Sequence, residues 1–281
     1  MENFQYVKLT NQLCQDDNSV PYKSHFVMLI SGACGTGKSN FIHNLLKIYQ
    51  DDRYEPYFDN IIVLCGEQTS EYNNRVDNVY HIGLNTDQTN NMFEKLIENG
   101  HDKYQHNIML YFNAVCRLRN WKLEVVYKKL IKKYSKYFDE NVVEDIYEIK
   151  MDDDEAKNII RNKKKMLSQV KNLLILDDVL GNDFLSKRNN WYKILMTTYR
   201  RYYISIIFST QRYVECPKNS RLLSKIVILF EPTPSQFKVI SNEHRINEDD
   251  VINCYEDSKN CKYSFIEIND SIPSIKVIYP K

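Results

Sequence analysis

Two stretches of the chain carry residue types spaced for phosphate chemistry, and a third is placed to assist them. The first is Gly32-Ala33-Cys34-Gly35-Thr36-Gly37-Lys38-Ser39, which fits GxxxxGK[ST] at every fixed position. Glycines let successive backbone N–H groups curl around a β-phosphate, and the N-terminus of the helix that follows adds partial positive charge. Lys38 is placed to reach the β- and γ-phosphates, and the Ser39 hydroxyl to bind Mg2+. Cys34 occupies a free position of the motif and reads as loop filler, not as a nucleophile. The second stretch is Leu173-Leu174-Ile175-Leu176-Asp177-Asp178, four apolar residues and then two carboxylates, the form of a Walker B strand. Asp177 can hold Mg2+ through water, and Asp178 can orient or deprotonate an attacking water. The third is Ser209-Thr210-Gln211-Arg212, at the end of another apolar run. A polar side chain there faces the γ-phosphate, so Gln211 is a sensor candidate. ATP with Mg2+ is the expected ligand pair. No NKxD guanine-specifying motif occurs in the chain, which argues against a GTPase.

These groups meet only if the elements around them bring them to one edge of a sheet. Phe26–Ile30 is a short apolar run leading into the glycine loop and reads as a buried parallel strand. From Ser39 to Gln50, Phe41, Ile42, Leu45, Leu46 and Tyr49 recur at helical spacing. Ile61–Cys65 reads as a second buried strand, Val79–Leu84 as a third, and Asp87–Asn99 as a helix. After the carboxylate strand come a helix over Trp191–Tyr202, a strand over Ile204–Thr210 and a strand over Lys225–Phe230. Pro234–His244 and Asn247–Glu256 read as helices. Tyr263–Ile268 and Ile275–Tyr279 read as a closing hairpin. Strand alternating with helix predicts an α/β fold with a mostly parallel sheet flanked by helices. Ligands bind such sheets at the carboxyl ends of the strands, where all three stretches end.

Residues 1–24 are polar and irregular and read as an N-terminal arm. The α/β domain then spans 25–281, with a helical, charge-blocked insertion at about 101–170. There Leu123, Val126, Tyr127, Leu130, Ile131 and Tyr134 form an apolar stripe. Lys128, Lys129, Lys132, Lys133 and Lys136 fall on the opposite face, which reads as a solvated face or as a DNA or partner contact.

With 281 residues, 43% hydrophobic and 27% charged, the chain has the composition of a globular protein with a sizeable core. A formal net charge of +1 gives no global attraction to nucleic acid, so any DNA contact must come from local patches. The seven cysteines are scattered, with no CxxC pair and no zinc-knuckle spacing, and read as reduced thiols of an intracellular, soluble protein. Met1–Gln12 lacks the apolar core of a signal peptide, and no apolar run approaches the ~18 residues of a membrane span.

The carboxylate strand, then Arg200, then Ile204–Arg212 with its terminal Gln211, resembles the FtsK–HerA superfamily of DNA-pumping ATPases. The likeness extends to the genome-packaging ATPases of poxviruses, other large DNA viruses, virophages and related transposons, and covers residues 26–50 and 171–240. FtsK and HerA usually carry Glu, with its longer arm, where this chain has Asp178. The resemblance implies a RecA-like domain that hydrolyses ATP within a homo-oligomeric ring, a hexamer, around double-stranded DNA. It also implies a genome-pumping task, capsid proteins as further partners, and a location in the host cytoplasm or the virion. Arg200 is then the candidate trans arginine finger. About ten residues of strand, each rising ~3.3 Å, separate it from Gln211, too far for its side chain to reach its own γ-phosphate. Two rivals stay open. One is a P-loop kinase of a nucleotide or small molecule, with 101–170 as a lid that has few arginines (Arg117, Arg119, Arg161). The other is an ATP-gated interaction protein with no motor task.

Overall fold

The computed structural model describes residues 22, 25–49, 57–65, 78–81, 106–107, 109–123, 148–162, 171–179, 190–200, 204–271 and 274–279. The chain divides into two compact units, one formed by residues 1–94 with 171–281 and the other by 95–170.

The first unit is built on an eight-stranded sheet. Its strands are β1 (Val27–Ser31), β2 (Asn60–Cys65), β3 (Asn78–His81), β4 (Asn172–Asp177), β5 (Ile204–Thr210), β6 (Ile226–Leu229), β7 (Phe265–Asn269) and β8 (Ser274–Ile278). Their order is β3-β2-β4-β5-β1-β6-β7-β8. The first six strands in that order are parallel, and β7 and β8 close the sheet antiparallel. This is the mostly parallel α/β fold expected. The carboxylate strand β4 and the loop strand β1 are not neighbours, because β5 lies between them. The predicted closing hairpin is present, and its first strand also pairs with β6, Leu229 opposite Ile266.

The central strands are buried on both faces, which is why they read as continuous apolar runs rather than alternating ones. On one face Met28, Ile30, Leu173, Ile175, Ile207 and Ile228 pack against helix α1 (Lys38–Tyr49) through Phe41, Ile42, Leu45, Leu46 and Tyr49. Each of these fully buried side chains contributes roughly 1.5–3 kcal/mol. An exposed ion pair is worth at most about 1 kcal/mol, so the apolar stripe, not surface charge, fixes the helix. Tyr22, within the stretch read as an arm, is buried in the same core, and its hydroxyl donates to Glu267 at 3.0 Å.

Of the second unit, a helix α2 over 109–119 and a helix α3 (Asp153–Arg161) are described. Asn120 ends α2 in the left-handed region at φ 52°. Asp152 caps α3, accepting from the N–H groups of Asp154 at 3.0 Å and Glu155 at 2.8 Å, and three acidic residues in the first turn suit the helix dipole. The predicted helix 87–99 and the lysine face 128–136 lie outside the described residues.

In the first unit, helix α4 (Asn190–Thr198) stops short of the predicted end at Tyr202. Thr197 and Thr198 turn their hydroxyls back onto the carbonyls of Lys193 and Ile194, an alternative partner that weakens a helix. The Tyr199 carbonyl then accepts from Ile204, the first residue of β5, at 2.9 Å. A short helix α5 (Lys218–Leu223), absent from the sequence reading, precedes β6. Helices α6 (Pro234–His244) and α7 (Glu248–Ser258) lie close to their predicted bounds, and α7 is capped by Asn247.

Candidate active site

The carboxyl ends of β1, β4, β5 and β6 share one edge of the sheet, and the predicted site residues hang from it. Residues 32–37 leave β1 as a tight loop and α1 begins at Lys38. The loop is pinned on both flanks. Gly32 N–H donates to the Thr210 carbonyl at 3.1 Å, and Phe230 N–H donates to the Ser31 carbonyl at 2.7 Å. A Cβ on Gly32 would lie 2.6 Å from Phe230 Cβ and 2.7 Å from Thr36 Oγ1, so only glycine lets β6 approach this closely. Gly37 has φ 113°, a conformation closed to residues with a side chain, and its carbonyl accepts the Phe41 N–H at 2.9 Å as the first turn of α1. Thr36 braces the loop from inside, its hydroxyl donating to the Ala33 carbonyl at 2.8 Å. Cys34 is exposed on the loop. Below it, Phe230 meets Phe41 edge-on at 6.2 Å and Phe41 meets Phe265 at 5.1 Å, so α1, β6 and β7 share one aromatic floor.

Lys38 folds over the loop, its ammonium donating to the carbonyls of Gly32 and Ala33. Burial lowers its pKa, while the nearby carboxylates of Asp177 and Asp178 oppose that shift. The loop cation and the two carboxylates thus act on one another across the strand ends. Asp177 is the last residue of β4, level with Ser209 of β5 and Cys65 of β2. Asp178 turns out of the strand at φ 50° with its N–H on the Ser209 carbonyl at 3.1 Å. Its Oδ2 accepts from Gln211 Nε2 at 3.2 Å. The structure therefore joins the second carboxylate and the sensor candidate in one exposed pair at the open edge.

The loop is shaped to take a polyphosphate: a glycine cradle, an ammonium and a helix N-terminus face the same space. The donor set also fits a magnesium ion. Mg2+ keeps most of its water and is held through one or two hard oxygens plus substrate phosphates, and Ser39 and Asp177 supply one hydroxyl and one carboxylate. Among the described residues no cluster of three or more His, Cys, Asp or Glu side chains forms a metal cage. No described helix is long and apolar enough to cross a membrane.

Arg200 does not join this group. It is exposed two residues past α4, its Nε donating to the Tyr199 hydroxyl at 2.9 Å. It lies beside the start of β5, whose Ile204 N–H donates to the Tyr199 carbonyl, and so at the opposite end of the parallel strands from the phosphate loop; its charge helps lower the pKa of His25, after burial and Lys171.

A further cluster went unread in the sequence. The turn after Gln211, Tyr213–Glu215, is held from below. Arg221 on α5 donates to the carbonyls of Val214 and Cys216 at 3.1 and 2.6 Å and clasps Glu243 of α6 with two bonds of 2.8 Å. The Tyr213 hydroxyl donates to Glu243 at 2.7 Å and lies 2.9 Å from His244 Nε2, whose ring meets Asp270 at 3.0 Å on its other side. Burial alone would raise the Glu243 pKa, but the Arg221 and Tyr213 hydrogen bonds hold it below the usual carboxylate range. The folded protein therefore takes up that proton less readily than the unfolded chain. The stability this carries is present above the unfolded carboxylate pKa and is lost as pH falls through the lower folded one. The Arg221 and Glu243 side chains are only 11% and 10% exposed. Glu243→Gln strips a buried cation of its partner and should cost about 3 kcal/mol or more. Thermal or urea unfolding reads this directly, and the loss relative to wild type should shrink as pH falls below the usual carboxylate range towards the lower folded pKa of Glu243. Arg221 and Glu243 stand 22 positions apart with no periodicity to link them, so only the fold pairs them.

No protein-family model and no curated protein matches the chain. Solved structures do match. The genome-packaging NTPase B204 of Sulfolobus turreted icosahedral virus 2 in complex with ATP-gammaS superposes with a TM-score of 0.52 at 16% identity, covering 91% of this chain and 98% of that one. B204 of Sulfolobus turreted icosahedral virus, described as the DNA-packaging ATPase, gives a TM-score of 0.51 at 16% identity, with 92% and 100% covered. A complex of the former protein with AMP gives 0.51 at 15% identity, with 92% and 98% covered. At these identities the likeness is one of fold.

Proposed function

We propose, from the P-loop NTPase fold this chain shares with B204, that it is an ATPase of the FtsK–HerA type. In this reading it hydrolyses ATP to drive double-stranded DNA, pumping a viral or transposon genome into a capsid. The observation that carries the ATPase reading is the joined pair of Asp178 and Gln211 beside Asp177 and the Lys38 loop. That grouping at one sheet edge supports taking Asp178 as base, Gln211 as sensor, Asp177 as the carboxylate for the metal and the loop as phosphate cradle. Loop N–H groups and Lys38 hold the phosphates, and Ser39 with Asp177 would hold Mg2+. When bound, that ion would supply charge to offset what builds on the phosphate oxygens. Asp178 takes the proton of the attacking water, and Gln211 orients that water and Asp178 together.

The DNA task rests on the FtsK–HerA spacing and on the likeness to B204. Its test is ATP turnover with and without double-stranded DNA, alongside mass in solution. DNA should raise turnover several-fold, and the active species should have a mass several times that of one chain, consistent with a ring. A monomer whose slow turnover ignores DNA would overturn the motor reading and leave an ATP switch. Arg200, remote from its own loop, serves a neighbour's site in this scheme. A Lys38→Ala subunit with Arg200 intact should then restore turnover to an Arg200→Ala subunit. If mixing restores nothing while Arg200→Ala alone keeps full DNA-stimulated turnover, Arg200 is only a cation past the end of a helix.

A further inference from the structure

Strand β5 carries three hydroxyls, and two of them have partners. Ser205 Oγ accepts the His25 N–H at 2.9 Å, and Thr210 Oγ1 donates to the Arg212 carbonyl at 3.1 Å. Ser209 is 1% exposed and its Oγ has no hydrogen-bond partner among the described residues. A buried hydroxyl left unpaired is costly, and alanine of nearly the same shape would remove the cost.

The sheet register says where this hydroxyl lies. Ser209 is level with Ile30 of β1 and with Asp177 of β4. Side chains of register partners in a parallel pair stand on the same face, and alternate residues of one strand share that face. Ile30 and Ile207 belong to the core cluster under α1, so Ser209 projects on the α1 side. Its register partner Asp177 stands on the same face, and on the other side β1 ends one residue past Ile30, at the loop that leads to Lys38 and Ser39. The Ser209 carbonyl is taken by Asp178 N–H. Of the three hydroxyls of β5, that of Ser209 is the one on this face at the carboxyl end of the strand, level with Asp177.

We infer that Ser209 Oγ is a further positioning group of the site, bonding a water in the shell of the divalent cation held by Ser39 and Asp177. This rests on the metal-dependent ATPase reading given above. A water there can donate to the Ser209 oxygen or accept from its hydroxyl while another hydrogen reaches Asp177, so the hydrated ion is gripped by two side chains on neighbouring strands. Acting through a water of the ion's shell, Ser209 should affect metal affinity and not metal-free nucleotide binding.

The experiment is a manganese(II) titration of the full chain with a saturating non-hydrolysable ATP analogue, read by electron paramagnetic resonance. It runs beside thermal unfolding of the nucleotide-free protein and analogue binding in EDTA. Ser209→Ala should leave the unfolding temperature equal or higher, leave binding in EDTA unchanged, and raise the half-saturating manganese concentration about fivefold, the loss of one hydrogen bond. Ser209→Cys, nearly isosteric with a weak donor, should behave like alanine and serves if alanine does not fold. Asp177→Asn separates the two readings. If it weakens manganese binding and the Ser209 variants do not, the Ser209 inference is wrong and the site stands. If Asp177→Asn also leaves manganese binding unchanged, the metal site itself is misplaced and the inference falls with it. A lower unfolding temperature with unchanged manganese binding would make Ser209 a packing residue.

Discussion

Lys38→Ala should abolish ATP hydrolysis in a protein that remains folded. The half-buried ammonium donates to the Gly32 and Ala33 carbonyls. Its removal takes away those bonds and leaves the apolar side chains under α1 in place, so the fold should hold. What disappears is the one cation of the glycine cradle, set against the phosphates where charge builds during transfer. Loss of a single preorganised donor in such a place commonly costs about 10²–10³ in rate, and a charged one should cost at least that. Lys38→Arg should not rescue it, since a planar guanidinium does not replace a compact ammonium in a tight loop. The check is phosphate release beside circular dichroism and thermal unfolding. Wild-type turnover by a well-folded Lys38→Ala protein would remove the basis for placing ATP at this loop.

Much of this site could be read from the chain because it is local. The loop fits a motif of eight consecutive residues, Asp177 and Asp178 end an apolar run, and Gln211 ends another. Apolar runs such as Leu173–Leu176 and Ile206–Phe208 mark strands buried on both faces, and alternation with helices then predicts a parallel sheet. The start of Pro234–His244 was legible because proline suits the first helical turn, whereas its end, with Arg245 in the left-handed region, rests on a conformation that arginine does not announce. Non-local features stayed hidden. Nothing in the spacing of residues 213–224 announces α5, a helix of six residues held by Arg221 and its partner Glu243. Nor does any pattern say that β7, besides forming the hairpin, pairs antiparallel with β6. The end of α4 was overrun because Thr197 and Thr198 bond backwards, a choice that side-chain periodicity does not report. Ser209 meets Asp177 only through the register of two strands distant in sequence.

Asp178→Asn should bind ATP and hydrolyse it about 10² to 10⁴ times more slowly, the range over which a positioned general base contributes. The substitution is a clean one at this position. Asp178 has φ 50°, a left-handed conformation that asparagine adopts at least as readily as aspartate. The backbone bond from Asp178 N–H to Ser209 is independent of the side chain. An asparagine oxygen can still accept from Gln211, so the pair keeps its geometry while losing its capacity to take a proton. Asp178→Ala would confuse matters, because alanine at that φ is strained by roughly 1–2 kcal/mol. Asp177→Asn is the contrast. It ends the strand instead of turning from it, and its loss should weaken Mg2+-dependent nucleotide binding before it affects the proton. Single-turnover hydrolysis at saturating ATP, with binding measured separately, distinguishes the two: Asp178→Asn lowers the rate at unchanged affinity, Asp177→Asn lowers metal-dependent affinity. Asp178→Glu, which restores a carboxylate on a longer arm, should recover part of the lost rate. If Asp178→Asn turns over ATP like the wild type, the proton leaves to another group and Gln211 is bonded to a bystander.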